Sequence, residues 1–255
     1  MSKPLNNFVF FGGRIFGYRC LKVLLELNLR PAIVVVNTDE KRKPPDKSTS
    51  ILKLALDEGL SIMDFKQLVS KNGLKTLKVL SPSVGFCAFF PRIIPASVFH
   101  LFKLGITNIH FSLLPEHRGQ FPTVYAIFEG QNKTGVTLHW INEEVDLGDI
   151  ILQETIKITH ADTGKSLFTK CLEKGVDCFE RQISFYKHNS WPESQIQNKL
   201  KASKSPVRIH LPNEGKINWS WSGERIRNFI RAMTFPPYDI AEFSIGNNCY
   251  EIRSK

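Results

Sequence analysis

Apolar residues near the start of the chain alternate between short continuous runs and segments with helical spacing. Phe8 to Phe11 form an apolar run that ends at Gly12-Gly13, residues 15–25 follow with helical spacing, and Pro31 to Val36 form a second, β-branched run. This pattern predicts a strand, a helix and another strand, and such a unit pairs its strands in parallel. A continuous apolar run is typical of a strand that is covered on both faces.

The same alternation continues beyond residue 50. The spacing predicts helices over Ser50 to Gly59 and Asp64 to Asn72, a strand within Val79 to Phe90 and another over Gly105 to His110. Strands separated by helices predict an α/β fold, with an open, mainly parallel sheet and helices on both of its faces. We therefore expect a Rossmann-like core.

The second half of the chain has a different composition at its end. Two strand-like runs, Gly135 to Ile141 and Ile150 to Glu154, flank an acidic turn, and the spacing over Thr163 to Lys187 predicts a long amphipathic helix. From Asn189 the chain is polar and rich in Lys, Gln and Ser. We place a domain boundary there, with the main domain over 1–189 and a small C-terminal subdomain over 190–255.

The small C-terminal subdomain contains one strong helical signal. An amphipathic pattern over Gly223 to Met233 predicts a helix, with Ser220 or Ser222 as its N-cap. Pro236 and Pro237 follow the pattern and would end the helix.

Composition fits a globular protein without a metal centre. The chain has 255 residues with 42% hydrophobic content, which suffices for a packed core. Its apolar runs are far shorter than the roughly 20 residues that cross a bilayer, and its N-terminus does not resemble a secretory signal. The five cysteines lack paired CxxC spacing, so no metal site is expected. We expect a cytoplasmic protein.

The net charge of the chain gives little information about its binding partner. The net charge of +10 would raise the local concentration of polyanions such as nucleic acid, a nucleotide-linked sugar or a polyglutamate tail. The cations are scattered along the chain, so a solvated basic surface is a serious alternative.

Gly12, Gly13 and Gly17 mark a turn between the first strand and its helix. The turn departs from Gly-x-Gly-x-x-Gly because position 14 is Arg, so a simple tight turn is favoured over a dinucleotide site. In an alternative interpretation, Arg14 binds a phosphate of the substrate.

Asn108 and His110 stand at the end of a predicted strand. Strand neighbours alternate, so both side chains lie on one face, at the carboxyl edge where open α/β sheets bind ligands. An amide can donate to a developing oxyanion, and an imidazole can move a proton near neutral pH. A histidine in this setting is more often structural than catalytic, and the local pattern leaves both readings open.

The residues around this pair form a longer motif, which reads Asn108-Ile109-His110-Phe111-Ser112-Leu113-Leu114-Pro115-Glu116-His117-Arg118-Gly119-Gln120-Phe121-Pro122. It resembles the mark of the folate-dependent formyltransferase family, Asn-x-His-x-Ser-Leu-Leu-Pro-x-x-Arg-Gly followed by Pro. A second family element, a strand leading to Asp-x-Gly, is matched over 135–150 with Asp146 as its aspartate. The resemblance covers about residues 8 to 240.

The resemblance implies formyl transfer from N10-formyltetrahydrofolate to an amine, with Asn108, His110 and Asp146 as the catalytic residues. Asn108 and protonated His110 would stabilise the oxyanion, and Asp146 would pair with His110 or take the proton of the amine. Which group moves which proton is open. Further contacts with the two substrates are expected beside these three residues. Folate contacts are expected from Phe89, Phe90, Arg92, His139, Glu143 and Gly148. Acceptor contacts are expected from Arg14, Lys43, Ser112 and Arg118.

Two branches of the family differ in their acceptor. Methionyl-tRNA formyltransferases carry a further domain of roughly a hundred residues, whereas about 65 residues follow position 190 here. This favours a sugar N-formyltransferase acting on a dTDP- or GDP-linked amino sugar for surface polysaccharide (O-antigen) synthesis, as a homodimer. A methionyl-tRNA formyltransferase, a glycinamide ribonucleotide formyltransferase and a non-catalytic binding module are the alternatives.

Overall fold

A computed structural model describes residues 7–37, 50–197, 207–235, 241–245 and 248–252 of the chain. In these residues a seven-stranded sheet has the order β3-β2-β1-β4-β5-β6-β7, and β8 pairs with β9 in a hairpin. The strands are β1 Phe8–Gly12, β2 Ile33–Val36, β3 Ile62–Asp64, β4 Val84–Ala88, β5 Ile106–His110, β6 Lys133–Trp140, β7 Ile150–Lys157, β8 Ala241–Ile245 and β9 Asn248–Ile252. The helices are α1 Arg14–Glu26, α2 Ile51–Asp57, α3 Phe65–Leu68, α4 Lys71–Leu80, α5 Ala96–Phe99, α6 Pro122–Phe128, α7 Gly164–His188 and α8 Gly223–Met233.

The sheet confirms the predicted fold class. Strand β1 pairs in parallel with β2 and with β4, β2 with β3, and β4 with β5. Helices α1, α2 and α7 lie where the apolar spacing predicts them. No helix in the described segments is long and apolar enough to cross a membrane.

The chain forms two compact units that alternate along the sequence. The first comprises Met1–Ile109, Leu138–Ile151 and Val176–Gln195. The second comprises His110–Thr137, Leu152–Gly175 and Ile196–Lys255. The domain boundary near residue 190 stays a prediction.

In the first unit, successive side chains of β1 enter two different apolar layers. Val9 and Phe11 belong to a buried cluster with side chains of α4 and α5. Phe8 and Phe10 are also fully buried, and the ring centroids of Phe10 and Phe179 in α7 lie 6.2 Å apart. Both faces of this strand are therefore covered, as its continuous apolar run predicts.

The predicted helix over Asp64 to Asn72 is two helices in the structure, and the second extends to Leu80. The Ser70 hydroxyl accepts a hydrogen bond from the backbone N–H of Gly73, 3.2 Å away. A serine in this position caps a new helix because it satisfies an N–H group that has no partner within the helix. Ser70 therefore separates α3 from α4.

In the second unit, hydrogen bonds connect α8 to the turn that precedes α7. Helix α8 spans the predicted residues, with Ser222 as its N-cap. The Arg231 guanidinium donates to the backbone carbonyls of Thr159, His160 and Asp162 at 3.0, 3.2 and 2.8 Å. Because one planar group satisfies three carbonyls, the turn before α7 and the end of α8 are held together.

Asp162 adds a charged anchor to the same turn. Its carboxylate is 3% exposed and lies 2.7 Å from the Lys170 ammonium. Burial raises the pKa of Asp162, but hydrogen bonds from Lys170, Thr159 and Ser166 outweigh this effect and lower it to about 2. The ionised carboxylate thus stabilises the folded chain.

We expect Asp162→Asn to lower the free energy of unfolding at neutral pH by about 2 kcal/mol, from the depressed pKa. The pKa of Asp162 is lower in the folded chain than in the unfolded chain. The variant is therefore less stable than wild type above about pH 4, and this difference in stability shrinks as the pH falls towards about 2. Urea denaturation of both proteins across this range measures it, with Glu193→Gln as an exposed control. A deficit that stays constant with pH would contradict the assignment.

Candidate active site

Strand β5 brings the first two predicted catalytic residues to its carboxyl end. In the register of β4 and β5, Cys87 stands opposite Asn108. Asn108 is half-buried and His110 is 7% exposed. The two residues alternate with Ile109, which is buried in the core. The predicted placement of an amide and an imidazole two positions apart on one strand is confirmed.

In the first unit, Asn108 is hydrogen-bonded to a histidine of β6. The Asn108 side-chain Nδ2 lies 3.2 Å from Nε2 of His139. The other ring nitrogen of His139, Nδ1, lies 2.8 Å from the backbone oxygen of Trp140. His139 is 2% exposed. We predicted this residue as a folate contact, which stays a prediction, and its contact with Asn108 was not predicted.

Asp146, the third residue predicted to be catalytic, lies beside the His139 ring. Oδ1 of Asp146 is 3.6 Å from Nε2 of His139, and the Asp146 side chain is 13% exposed. Burial raises the pKa of the Cys87 thiol to about 12, a hydrogen bond with the Phe90 backbone opposes this, and the negative charge of Asp146 adds to it. The Asp146 carboxylate is therefore close enough to act on its neighbours electrostatically. The expected pairing of Asp146 with His110 stays a prediction.

The turn that carries Asp146 has a constrained backbone. Asp146 has φ 52°, in the left-handed region. The backbone N–H of Trp140 donates to the Asp149 oxygen at 2.9 Å, which closes the turn. A Cβ at Gly148 would overlap the carbonyl of Trp140, the group that binds the His139 ring. Gly148 thus allows the turn to approach this carbonyl.

In the second unit, His110 is held by the loop that follows it. Nε2 of His110 lies 2.8 Å from the backbone oxygen of His117. A carbonyl can only accept, so Nε2 carries a proton and donates it to this bond. His117 has φ 51°, which turns its carbonyl as part of a left-handed bend. This bond occupies Nε2, and the other ring nitrogen of His110 is Nδ1.

The loop 111–121 is fixed by polar side chains, of which Ser112 and Thr137 are fully buried. The Thr137 hydroxyl donates to the Ser112 oxygen at 2.6 Å and accepts from the Leu114 N–H at 3.2 Å. Gln153 Nε2 donates to the Leu114 oxygen at 2.9 Å. The Ser112 hydroxyl donates to the backbone oxygen of Glu116. Thr137 and Gln153 were not predicted, because an isolated Thr or Gln in a strand carries no recognisable sequence signal.

The second half of this loop is paired with a later segment. The Gln120 N–H donates to the Arg208 oxygen at 2.7 Å, and the Arg208 N–H donates to the Arg118 oxygen at 2.8 Å. The Arg208 guanidinium lies 4.5 Å from the Tyr125 ring centroid and its Nη2 lies 3.0 Å from a Glu129 oxygen. Segment 207–210 therefore supports the backbone of the motif.

The predicted folate contacts lie in the first unit. Phe89 has φ 53° and its ring centroid is 5.0 Å from that of Phe16. Phe90 forms edge contacts with core aromatic rings. Arg92 is exposed, and its Nε donates to Asn37 at 3.3 Å. Glu143 is exposed. Their roles stay predictions.

The predicted acceptor contacts are spread over both units. Arg14 is exposed at the start of α1, with φ 53°. Lys43 lies outside the described residues. Ser112 and Arg118 belong to the loop after β5, where Ser112 is fully buried and Arg118 is 8% exposed. These assignments also stay predictions.

Comparison with known proteins points to one family. A profile described as formyl transferase matches residues 12–183. Methionyl-tRNA formyltransferase of Thermodesulfovibrio yellowstonii is 30% identical over 234 residues, which are 91% of this chain and 74% of that protein. The bifunctional polymyxin resistance protein ArnA of Wigglesworthia glossinidia brevipalpis is 28% identical over 228 residues, and this chain spans only 34% of its length while 89% of this chain is aligned.

A solved structure is similar over most of the chain. It is an N-formyltransferase of Helicobacter canadensis in complex with folinic acid and dTDP-3-aminofucose. The TM-score is 0.73 at 26% sequence identity, and the alignment covers 94% of this chain and 84% of that one.

We expect Gly148→Ala to lower the free energy of unfolding by about 1–3 kcal/mol, because the added Cβ must displace backbone. Gly223→Ala is the matched control, since a Cβ there meets open space. Urea denaturation compares the two, and hydrogen exchange over residues 140–149 locates the change. Equal stability of the two variants would show that the Asp146 turn tolerates a side chain at position 148.

Proposed function

The chain belongs to the formyl transferase family, and on this premise we propose that it transfers the formyl group of N10-formyltetrahydrofolate to the amine of a nucleotide-linked amino sugar. The observation that carries the proposal is the set of an amide at Asn108, an imidazole at His110 with a fixed tautomer, and a carboxylate at Asp146. These are a donor, an acid and a base, the groups that acyl transfer to an amine requires.

The residues fit the charge changes of this reaction. The folate supplies an activated one-carbon group, whose oxygen gains negative charge when an amine adds to its carbon. The Asn108 amide has two N–H groups, and the one that does not bind His139 can donate to this oxygen. Placing a neutral donor where charge develops lowers the barrier without desolvating a charge beforehand.

Two protons must move for the transfer to balance. A C–N bond forms to the acceptor amine, which loses a proton, and the bond to the folate nitrogen breaks, so that this nitrogen gains one. The Asp146 carboxylate takes the proton of the amine. In its protonated form, which carries a proton on both ring nitrogens, His110 gives the Nδ1 proton to the leaving nitrogen, because its Nε2–H is committed to the His117 carbonyl.

The choice of a sugar acceptor has its own support. The Helicobacter canadensis enzyme, whose structure contains a dTDP-linked amino sugar, aligns with 94% of this chain. The net charge of +10 suits a diphosphate and tRNA alike, so it does not distinguish the two acceptors. Transfer to methionyl-tRNA is the second candidate, favoured by the relative at 30% identity. We also propose that the enzyme is a cytoplasmic homodimer and that its product enters surface polysaccharide (O-antigen) synthesis.

We expect His110→Ala and Asp146→Ala each to lower kcat by at least about 100-fold, the size of a lost acid, base or oxyanion donor. Formylated product is quantified by mass spectrometry under saturating donor. His188→Ala, which removes an exposed imidazole at the end of α7, should leave kcat unchanged. Near-normal turnover of either catalytic variant would contradict its role.

Separate incubations with different classes of amine identify the acceptor. The chain is incubated with N10-formyltetrahydrofolate and dTDP-amino sugars, GDP-amino sugars, initiator methionyl-tRNA or glycinamide ribonucleotide. We expect formylated product only with an amino-sugar nucleotide. Formylated tRNA or glycinamide ribonucleotide would overturn the sugar proposal. Folate binding without product from any acceptor class would favour a binding module.

A further inference from the structure

His139 occupies a position between two of the catalytic side chains. Its Nε2 lies 3.2 Å from Nδ2 of Asn108 and 3.6 Å from Oδ1 of Asp146. The ring comes from β6, whose side chains are almost entirely buried on both sides of this position. A buried imidazole whose edge meets both an amide and a carboxylate can affect the orientation of one and the charge of the other.

The hydrogen bonds of His139 define its protonation state. Nδ1 faces the Trp140 oxygen at 2.8 Å, and because a carbonyl only accepts, Nδ1 must carry a proton. Nε2 lies closer to the Asn108 amide nitrogen, at 3.2 Å, than to the Asp146 oxygen, at 3.6 Å. An amide nitrogen only donates, so the nearer contact favours a lone pair on Nε2. The two contacts of the ring together correspond to a neutral imidazole in the Nδ1–H tautomer.

The Trp140 carbonyl that sets this tautomer is itself held in place. The Trp140 N–H binds the Asp149 oxygen at 2.9 Å, and the Ile141 N–H binds the Ile106 oxygen at 2.8 Å. Gly148 lies against the same carbonyl with no room for a side chain. Backbone on both sides of the carbonyl is therefore fixed, and the tautomer of His139 is fixed with it.

The neutral ring has consequences for both neighbours. Its lone pair selects the orientation of Asn108 that directs NH₂ towards His139. A neutral ring also adds no positive charge beside the Asp146 carboxylate. A protonated ring would reverse both effects, because Nε2–H would turn towards Asp146 and repel the N–H groups of Asn108.

We propose that His139 is a positioning residue of the formyl transfer reaction, which orients the Asn108 amide through Nε2 and stays neutral beside Asp146. The proposal rests on the proposed function, because it assigns His139 a role in that reaction. It does not require His139 to touch either substrate. It differs in this from the folate contact that the family resemblance assigns.

Two substitutions of His139 test the contributions of its two ring nitrogens separately. In His139→Asn the side-chain amide reaches the position of Nδ1 and can still donate to the Trp140 oxygen, but nothing replaces Nε2. In His139→Gln the amide reaches the position of Nε2 and its oxygen can accept from Asn108. We expect His139→Asn to lower kcat about 10- to 100-fold with little change in KM, as misplaced catalytic groups do. His139→Gln should keep most of the wild-type kcat.

Thermal unfolding accompanies the kinetics, because a purely structural role would lower kcat only as far as each variant loses stability. Equal kcat in wild type and His139→Asn would overturn the proposal, and so would equal losses in the two variants.

A spectroscopic test is independent of catalysis. Heteronuclear NMR spectra of the imidazole nitrogens in the full, substrate-free chain should show His139 protonated at Nδ1 and unprotonated at Nε2 at mildly alkaline pH, with His139→Gln used for assignment. The side-chain amide signals of Asn108 should shift more in His139→Asn than in His139→Gln. A proton on Nε2 would overturn the proposal. If wild type transfers no formyl group to any acceptor, the proposed function fails, whereas these spectra still test the state of His139.

Discussion

The central strands of the first unit are buried on both faces, and a polar side chain in such a strand costs free energy unless it finds a hydrogen-bond partner. Three of the five residues in strand β5 are polar, and the side chain of each forms a hydrogen bond. The Thr107 hydroxyl donates to Gln182 of α7 at 2.8 Å, Asn108 donates to His139, and His110 donates to the His117 carbonyl. In the first unit, the need to satisfy these groups holds Asn108 and the β6 histidine in one arrangement, and in the second unit it holds His110 against the loop that follows it.

The sequence predicts much of this from local signals. Continuous apolar runs indicate β1, β2 and β4, and the motif from Asn108 to Pro122 indicates the end of β5. The tautomers were not predictable, because each depends on a backbone carbonyl whose direction is set by a left-handed residue or a close glycine contact. The break at Ser70 was missed because apolar spacing alone does not reveal where one helix ends and the next begins. The hairpin of β8 and β9 was also missed, since five-residue strands give too few alternations to recognise.

Two histidine rings, those of His110 and His139, each donate a hydrogen bond to a backbone carbonyl, but they do so through different ring nitrogens. In His110 a backbone carbonyl takes the proton of Nε2, and in His139 another takes the proton of Nδ1. In His139 the other nitrogen, Nε2, contacts the Asn108 amide, whereas in His110 the other nitrogen is Nδ1. Backbone carbonyls thus bind opposite nitrogens of two chemically identical side chains.

The left-handed backbone of Asp146 restricts which residues this position can accept. With φ 52°, β-branched and bulky side chains are strongly disfavoured, and glycine, asparagine and aspartate are tolerated best. Among these three only aspartate has a negative charge. Conformation and chemistry therefore both favour aspartate at this position. Glutamate has the same charge but is tolerated less well at positive φ, so a change of Asp146 to glutamate would cost stability in the turn and would also move the carboxylate.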